Sequence, residues 1–400
     1  MAYITGQTGQ GNCSTVYLKD GWYECAPVPT EACVLDGEIN SWHCWFAEVN
    51  GTVGEEVNVH LNWPEADYSK MRPELQAQNY RSIWENFARC AQDAVYISYD
   101  RLNWKRIEDV ALEGQQLAFS VELEEKRCWL SVTLYYTEAR YEALRAAVKD
   151  HPKIRTHEIG TDYGGDVIYA FEATDFSVPE EEKIPVFLMA AQHSDEVMGT
   201  WFMDAMLRYF VAGSDSACEL LKKFVFHLIP VASVTMWRHG IGLGYNAIGI
   251  NPNRDWLNQV LPSTRAIAAY LDGLTCKPKL LLDIHSGLQN YGSWDTCQSI
   301  TINYTLEPEK VAEMERFGTI LWEHTDFMPI KRFWGGTGMT DGSAFDYYGE
   351  RYGQGHCMEV SLYSMYDRAI QSHRPMEQWM VMRYGAQLAE AIGRFFDEKK

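Results

Sequence analysis

The chain predicts an α/β domain with a mixed central sheet flanked by helices, preceded by an antiparallel β-sandwich. Two observations carry this. Residues 1 to about 138 hold short runs that alternate or cluster apolar residues between Gly, Asn and Asp. From there on, apolar runs of strand length alternate with segments of helical period, the pattern of a sheet covered by helices. With 400 residues, two domains are a better expectation than one, and the boundary is expected to separate residues 1–138 from 139–400.

The N-terminal strands are expected within 41–49 (SWHCWFAEV), 55–63 (EEVNVHLNW), 94–100 (AVYISYD), 115–123 (QQLAFSVEL) and 128–136 (CWLSVTLYY). Trp22, Trp42, Trp45, Trp63, Trp84, Trp104 and Trp129 lie in this half. Exposed, they would form a face that stacks on sugars; at strand spacing, core or interdomain packing is the commoner use. At 137–150 (TEARYEALRAAVKD) the rhythm turns helical, with Thr137 as N-cap and Tyr141, Leu144 and Val148 on one face. Strands then follow at DVIYAFEAT, IPVFLMAAQ, FVFHLIPVA, KLLLDIH, SITINY and HCMEVSLY. Helices are expected after IPVFLMAAQ as far as about Val211, and over 263–272, 308–324 and 375–396.

Composition narrows the partners. A net charge of −20 disfavours nucleic acid or an anionic membrane surface, since the long-range field repels both. The ten cysteines form no C-x-x-C pair, so a zinc-finger framework is excluded and buried thiols are expected. The first residues, MAYITGQTGQGNCST, lack a basic and an apolar leader region, and no uncharged apolar run approaches bilayer length. A cytoplasmic protein is therefore expected.

The reactive candidates collect at strand ends. His193 and Glu196 sit on the turn after IPVFLMAAQ, and His285 ends KLLLDIH. With eleven histidines, an H-x-x-E spacing arises by chance about once in such a chain, so the pair alone means little. A third ligand changes that: two His and one Glu with an open fourth position make a catalytic zinc set. In α/β sheets such groups meet beyond the carboxyl ends of the strands. Glu359 stands alone in the apolar strand CMEVSLY, where a carboxylate is either costly or functional, and it suits a proton shuttle. Asn253 and Arg254 offer an amide and a planar guanidinium, a pair suited to holding a carboxylate.

In that order, H-x-x-E, the Asn-Arg pair, D-x-H-S and a lone strand Glu resemble the zinc metallocarboxypeptidase family, closest to its cytosolic carboxypeptidase-like branch, in which a β-sandwich precedes the catalytic domain. The resemblance implies one Zn²⁺ per chain on His193, Glu196 and His285, with Glu359 as general base and acid. It implies that Asn253 and Arg254 anchor the terminal carboxylate of a peptide or acyl-amino-acid substrate. The reaction implied is hydrolysis of a C-terminal peptide or amide bond. Ala344 and Phe345 fall where the family lines its specificity pocket, and Lys331, Arg332 and Arg351 could offer a local basic groove to an acidic tail.

Three positions depart from the family pattern. Asn251 stands where many members have an Asp behind a zinc-bound His, and an amide raises ligand basicity less. Gly244 occupies the place of an oxyanion-stabilising Arg, for which Arg238 is the expected substitute. Thr337 falls where digestive members place a Tyr, and Tyr347 and Tyr348 read as core aromatics. Asp283 reads as a loop stabiliser, whereas His239 and His356 lie beside candidate site residues. Two other functions fit parts of the pattern: a zinc-dependent deacylase or amidase acting on acyl amino acids or peptidoglycan peptides, and a catalytically degenerate module that binds a glycan or protein.

Overall fold

The computed structural model describes residues 1–6, 10–27, 45–63, 87–240, 250–287, 298–302, 307–328, 333–335, 343–344, 347–348, 351 and 355–398. The N-terminal strands are β1 (Tyr3–Thr5), β2 (Ser14–Lys19), β3 (Trp22–Ala26), β4 (Trp45–Asn50), β5 (Glu56–Asn62), β6 (Val95–Ser98), β7 (Lys105–Arg106), β8 (Val110–Glu113), β9 (Gln116–Glu122) and β10 (Arg127–Val132). They form two five-stranded sheets, in the orders β1-β4-β10-β6-β7 and β2-β3-β5-β9-β8. Period-two alternation sets their faces: Val57, Val59 and Leu61 of β5 and Leu117, Phe119 and Val121 of β9 point inward, while Asn58, His60 and Gln116 do not. Trp45 of β4 meets Phe119 of β9 edge-on at 6.4 Å between ring centroids, so the two sheets pack face to face. The described pairings are antiparallel except β3–β5, which is parallel.

Most of the described tryptophans in this half do pack inward. Trp45, Trp63, Trp104 and Trp129 are buried, and Trp22 stacks on His60 with centroids 4.2 Å apart. Trp42 and Trp84 lie outside the described residues.

The helix Glu138–Val148 begins on its expected cap: Thr137 Oγ1 accepts from Arg140 N at 3.1 Å, and Tyr141, Leu144 and Val148 are buried. Eight strands follow in one sheet: β11 (Ile154–Thr161), β12 (Val167–Ala173), β13 (Ile184–Ala190), β14 (Phe224–Ile229), β15 (Leu280–Gly287), β16 (Gln298–Ile302), β17 (Phe333–Gly335) and β18 (His356–Ser361). Their order is β11-β12-β14-β13-β15-β18-β16-β17. The central four, β14-β13-β15-β18, are mutually parallel, whereas β12–β14 and β16–β18 are antiparallel, so the sheet is mixed as expected. β13 is buried along nearly its whole length, which is why it reads as a continuous apolar run.

From β13 the chain crosses to β14 on one side and later returns to β15 on the other. That reversal opens a crevice at the carboxyl ends of β13 and β15. The helix Met198–Ala212 covers these strands and packs on the helix Gln378–Asp397, with Phe202 and Tyr384 at 4.7 Å between centroids. That last helix starts later than the sequence suggested, because Ser372–Pro375 pairs with Ser364–Asp367 in a hairpin. Beneath it, the fully buried carboxylate of Asp204 is matched by Arg140 at 2.7 Å and Arg208 at 2.5 Å. Among the described residues no helix is long and apolar enough to cross a membrane.

Gly199 sets how closely the covering helix approaches the sheet. A Cβ there would lie 2.6 Å from Cβ of Ala190 and 2.7 Å from Cβ of Ile284, both on strands that carry the crevice. Gly199→Ala should therefore push the helix off the sheet and cost about 1–3 kcal/mol. Urea denaturation in chelator measures this; an unchanged midpoint would show that the close approach is not needed.

Candidate metal centre

The last residue of β13 is followed by Ala191, held at φ 52° in the left-handed region, a conformation costing a non-glycine residue about 1–2 kcal/mol. It is stabilised by the chain leaving β14, since Ala232 N donates to Ala190 O and Ser233 N to Ala191 O, both at 3.0 Å. This sharp exit carries Gln192, His193 and Glu196 over the end of β15. There Ser286 N donates to Glu196 Oε2 at 3.1 Å, and Ser286 Oγ accepts from Met198 N at 3.2 Å, tying the turn to the strand and to the start of the helix.

Glu196 is the centre of the site. Its Oε1 lies 2.9 Å from His193 Nδ1 and its Oε2 lies 2.7 Å from His285 Nδ1. One ligand atom from each of the three residues falls within 4.8 Å of the others, and each side chain is largely withdrawn from water. Two imidazole nitrogens and a carboxylate form a donor set suited to zinc.

The far side of each ring is also engaged. His193 Nε2 lies 3.1 Å from Asn251 Oδ1, an oxygen that also accepts from Asn253 N at 2.8 Å. The amide at position 251 therefore does accept from the His193 ring. His285 Nε2 lies 2.8 Å from Asp283 Oδ2. Asp283, read from sequence as a loop stabiliser, instead supports the His285 ring: it sits on β15 two positions before His285, on the same face. Asn253 Nδ2 is also 3.1 Å from His285 Nε2. Both contacts cannot be hydrogen bonds to one protonation state of that nitrogen. The carboxylate contact is shorter and charge-assisted, so Nε2 carries the proton and donates to Asp283.

With the Nε2 positions occupied as donors, the Nδ1 atoms face Glu196, and the electrostatics follow. Burial opposes charge on Glu196, but the two imidazoles outweigh it and hold the carboxyl well below the usual range. Burial likewise opposes protonation of His193, yet Glu196 overrides it and raises the pKa. For His285, Asp283 and Glu196 together overcome burial and raise it further. Without metal, the carboxylates around them favour the protonated form of both rings.

Glu359 lies on β18 as the register partner of His285 across the parallel β15–β18 ladder, so the backbone brings it to the same part of the sheet edge. Asn253 is buried; its Oδ1 accepts from Ala344 N at 3.1 Å and from Gln192 Nε2 at 3.3 Å. Arg254 is exposed, with Nη1 donating to Asn253 O at 2.7 Å. Arg238 is directed elsewhere: its guanidinium pairs with Asp166 at 2.6 Å and Glu138 at 2.8 Å, neither of them in the cluster. His239 is exposed, whereas His356 packs its ring on Phe317 at 5.1 Å. Tyr347 and Tyr348 are core aromatics against Trp256, as read from sequence. Arg351 is exposed and sits 3.5 Å from Asp272. Gly244, Lys331, Arg332, Thr337 and Phe345 lie outside the described residues.

Sequence reasoning missed the part played by Gln192 and Asp283. For Asp283 a signal existed, since D-x-H on a strand puts both side chains on one face. Gln192 gave none beyond a polar residue after an apolar run.

Comparison with known proteins fits this geometry. The zinc carboxypeptidase family model matches residues 140–269, a span that contains His193, Glu196, Asn253 and Arg254. An uncharacterised protein of Zymomonas mobilis subsp. mobilis is 26% identical over 225 residues, covering 56% of this chain and 52% of that protein. The chain thus spans about half the length of that curated relative. The fold is that of a metallo-carboxypeptidase from Burkholderia cenocepacia, with a TM-score of 0.77 at 19% identity over 100% of both chains. A metallo-carboxypeptidase from Pseudomonas aeruginosa, solved with (2-guanidinoethylmercapto)succinic acid, gives 0.75 at 19% identity over 99% of this chain and 100% of that one.

Both Nδ1 atoms face the position a metal needs, so metal uptake must expel any proton they carry. Groups whose pKa is raised stay protonated below that raised value, so zinc affinity should climb with pH until both histidines have lost the Nδ1 proton. Binding should release protons, up to one from each ring. Calorimetry in buffers of different ionisation enthalpy measures the number; a buffer-independent heat would contradict the assignment.

Proposed function

We propose that the chain belongs with the zinc carboxypeptidases, whose family model matches residues 140–269, and that it hydrolyses the C-terminal peptide or amide bond of a substrate with a free carboxylate. The observation that carries the proposal is the convergence of His193 Nδ1, His285 Nδ1 and Glu196 at the carboxyl ends of two parallel strands. One Zn²⁺ held there would supply Lewis acidity toward a carbonyl and toward water.

The remaining steps belong to side chains. Glu359, on the strand beside His285, accepts the proton of the attacking water and returns it to the nitrogen of the leaving amine. Asn251 and Asp283 keep the Nε2 protons of the two histidines in place, leaving Nδ1 free to donate its lone pair. Arg254 is exposed at the end of the Pro252–Arg254 turn and is assigned the terminal carboxylate. Asn253 is packed between Ala344 and His285, which supports a role in steadying that turn as well as any contact with substrate. The succinic acid compound bound by the Pseudomonas protein carries carboxylates, in keeping with this assignment. The two ion pairs of Arg238 lend no support to its use as oxyanion donor; they favour a role in fixing the Val234–Arg238 helix. A reducing, cytoplasmic setting agrees with the described cysteines being thiols.

Glu359→Gln should lower turnover by about 10²–10⁴-fold while stoichiometric zinc is retained. The assay is a panel of peptides, N-acyl amino acids and peptidoglycan stem peptides. Undiminished hydrolysis of every cleavable member would contradict the role of Glu359, and turnover of the acyl amino acids or stem peptides alone would replace the peptidase reading. In the same assay Arg254→Ala should raise KM with kcat little changed; an unchanged KM would remove Arg254 from carboxylate binding.

A further inference from the structure

We infer that Gln192 is a positioning residue that, through Asp283, fixes which ring nitrogen of His285 faces the metal position. The inference rests on the zinc reading above and concerns a side chain that neither binds the metal nor faces substrate.

Gln192 is 2% exposed and immediately precedes His193. Its backbone carbonyl accepts from Ser233 Oγ at 2.6 Å, which anchors the turn to the chain leaving β14. Its side chain has one orientation that satisfies its surroundings. The indole of Trp256 can only donate, and its Nε1 lies 2.6 Å from Gln192 Oε1. The amide oxygen is thereby fixed toward Trp256, and Nε2 must point the other way, where it donates to Asp283 Oδ2 at 2.7 Å and approaches Asn253 Oδ1 at 3.3 Å.

That direction has a consequence for His285. Asp283 is 1% exposed, and its Oδ1 is buried without a hydrogen-bond partner among the described residues. Its described donors are therefore Gln192 Nε2 and His285 Nε2, both on Oδ2. Gln192 holds Asp283 in place as an acceptor, Asp283 holds the proton of His285 on Nε2, and Nδ1 is left as the metal-binding nitrogen. The same amide contacts Asn253 Oδ1, so it braces the turn carrying Asn251, the partner of His193. One buried amide thus joins the outer partners of both histidines, and Trp256 sets its polarity.

The test is zinc affinity, measured by competition with a chromophoric chelator. Gln192→Met keeps the side-chain length and removes both hydrogen-bonding ends; it should raise the zinc Kd about 10–100-fold. Trp256→Phe removes only the donor that orients the amide and should raise Kd in the same direction by a smaller factor. It decides the question alone if Gln192→Met does not fold by circular dichroism. Unfolding midpoints in chelator accompany both. A lowered midpoint with Kd within twofold of the parent would mean a merely structural residue and overturn the inference. Absence of stoichiometric zinc in the parent protein would instead overturn the zinc reading beneath it.

Discussion

The site depends on one buried carboxylate. Glu196 is 5% exposed, and an isolated carboxylate at that depth would be too costly to keep ionised. It is kept charged by an imidazole on each oxygen and by Ser286 N on Oε2. Those partners come from the turn after β13 and from β15, so the pairing holds only if the two strands end at matching heights. Their register provides this, Ala190 lying opposite Ile284, one residue before His285. The left-handed Ala191 and the close seat of Gly199 follow from the same requirement: the chain must leave β13 abruptly and start a helix flat against the sheet.

Around that carboxylate the two histidines are supported unequally. His285 leans on the carboxylate of Asp283, whereas His193 leans on the amide of Asn251. A carboxylate partner raises ring basicity more than an amide does, so His285 is the stronger donor of the pair and the more firmly protonated when metal is absent. The N-terminal sheets reach this region too. Gln10 Nε2 donates to Trp237 O at 3.3 Å and Asn12 Nδ2 to Gly240 O at 3.1 Å, while Trp237 Nε1 donates to Tyr136 O at 2.8 Å. The short helix that begins just after Ser233, the partner of Gln192, is therefore clamped from the N-terminal side.

Much of this was legible before any coordinates. The H-x-x-E turn, the strand ending in His285 and the lone strand Glu359 are local patterns, and parallel α/β topology forces strand ends to one edge. The cap at Thr137 and the burial of Tyr141, Leu144 and Val148 are equally local. What escaped was non-local. Alternation does not encode the direction of a neighbour, so the parallel β3–β5 pair within an antiparallel region could not be read. β11 is half-exposed along most of its length and gives no apolar rhythm. The ion pairs of Arg238 escaped as well, because nothing near it in sequence discloses Asp166, 72 positions away. Gln192 is invisible for the same reason: its partners Trp256 and Asp283 meet it only in the folded chain.

The central claim is that Glu196 and the two Nδ1 atoms define a metal position. Anomalous diffraction at the zinc edge from crystals of the purified protein tests it most directly. The account predicts one strong peak per chain, bounded by His193 Nδ1, His285 Nδ1 and the Glu196 carboxylate. A peak at other residues, ligation through either Nε2, or no peak from protein supplied with zinc would contradict it.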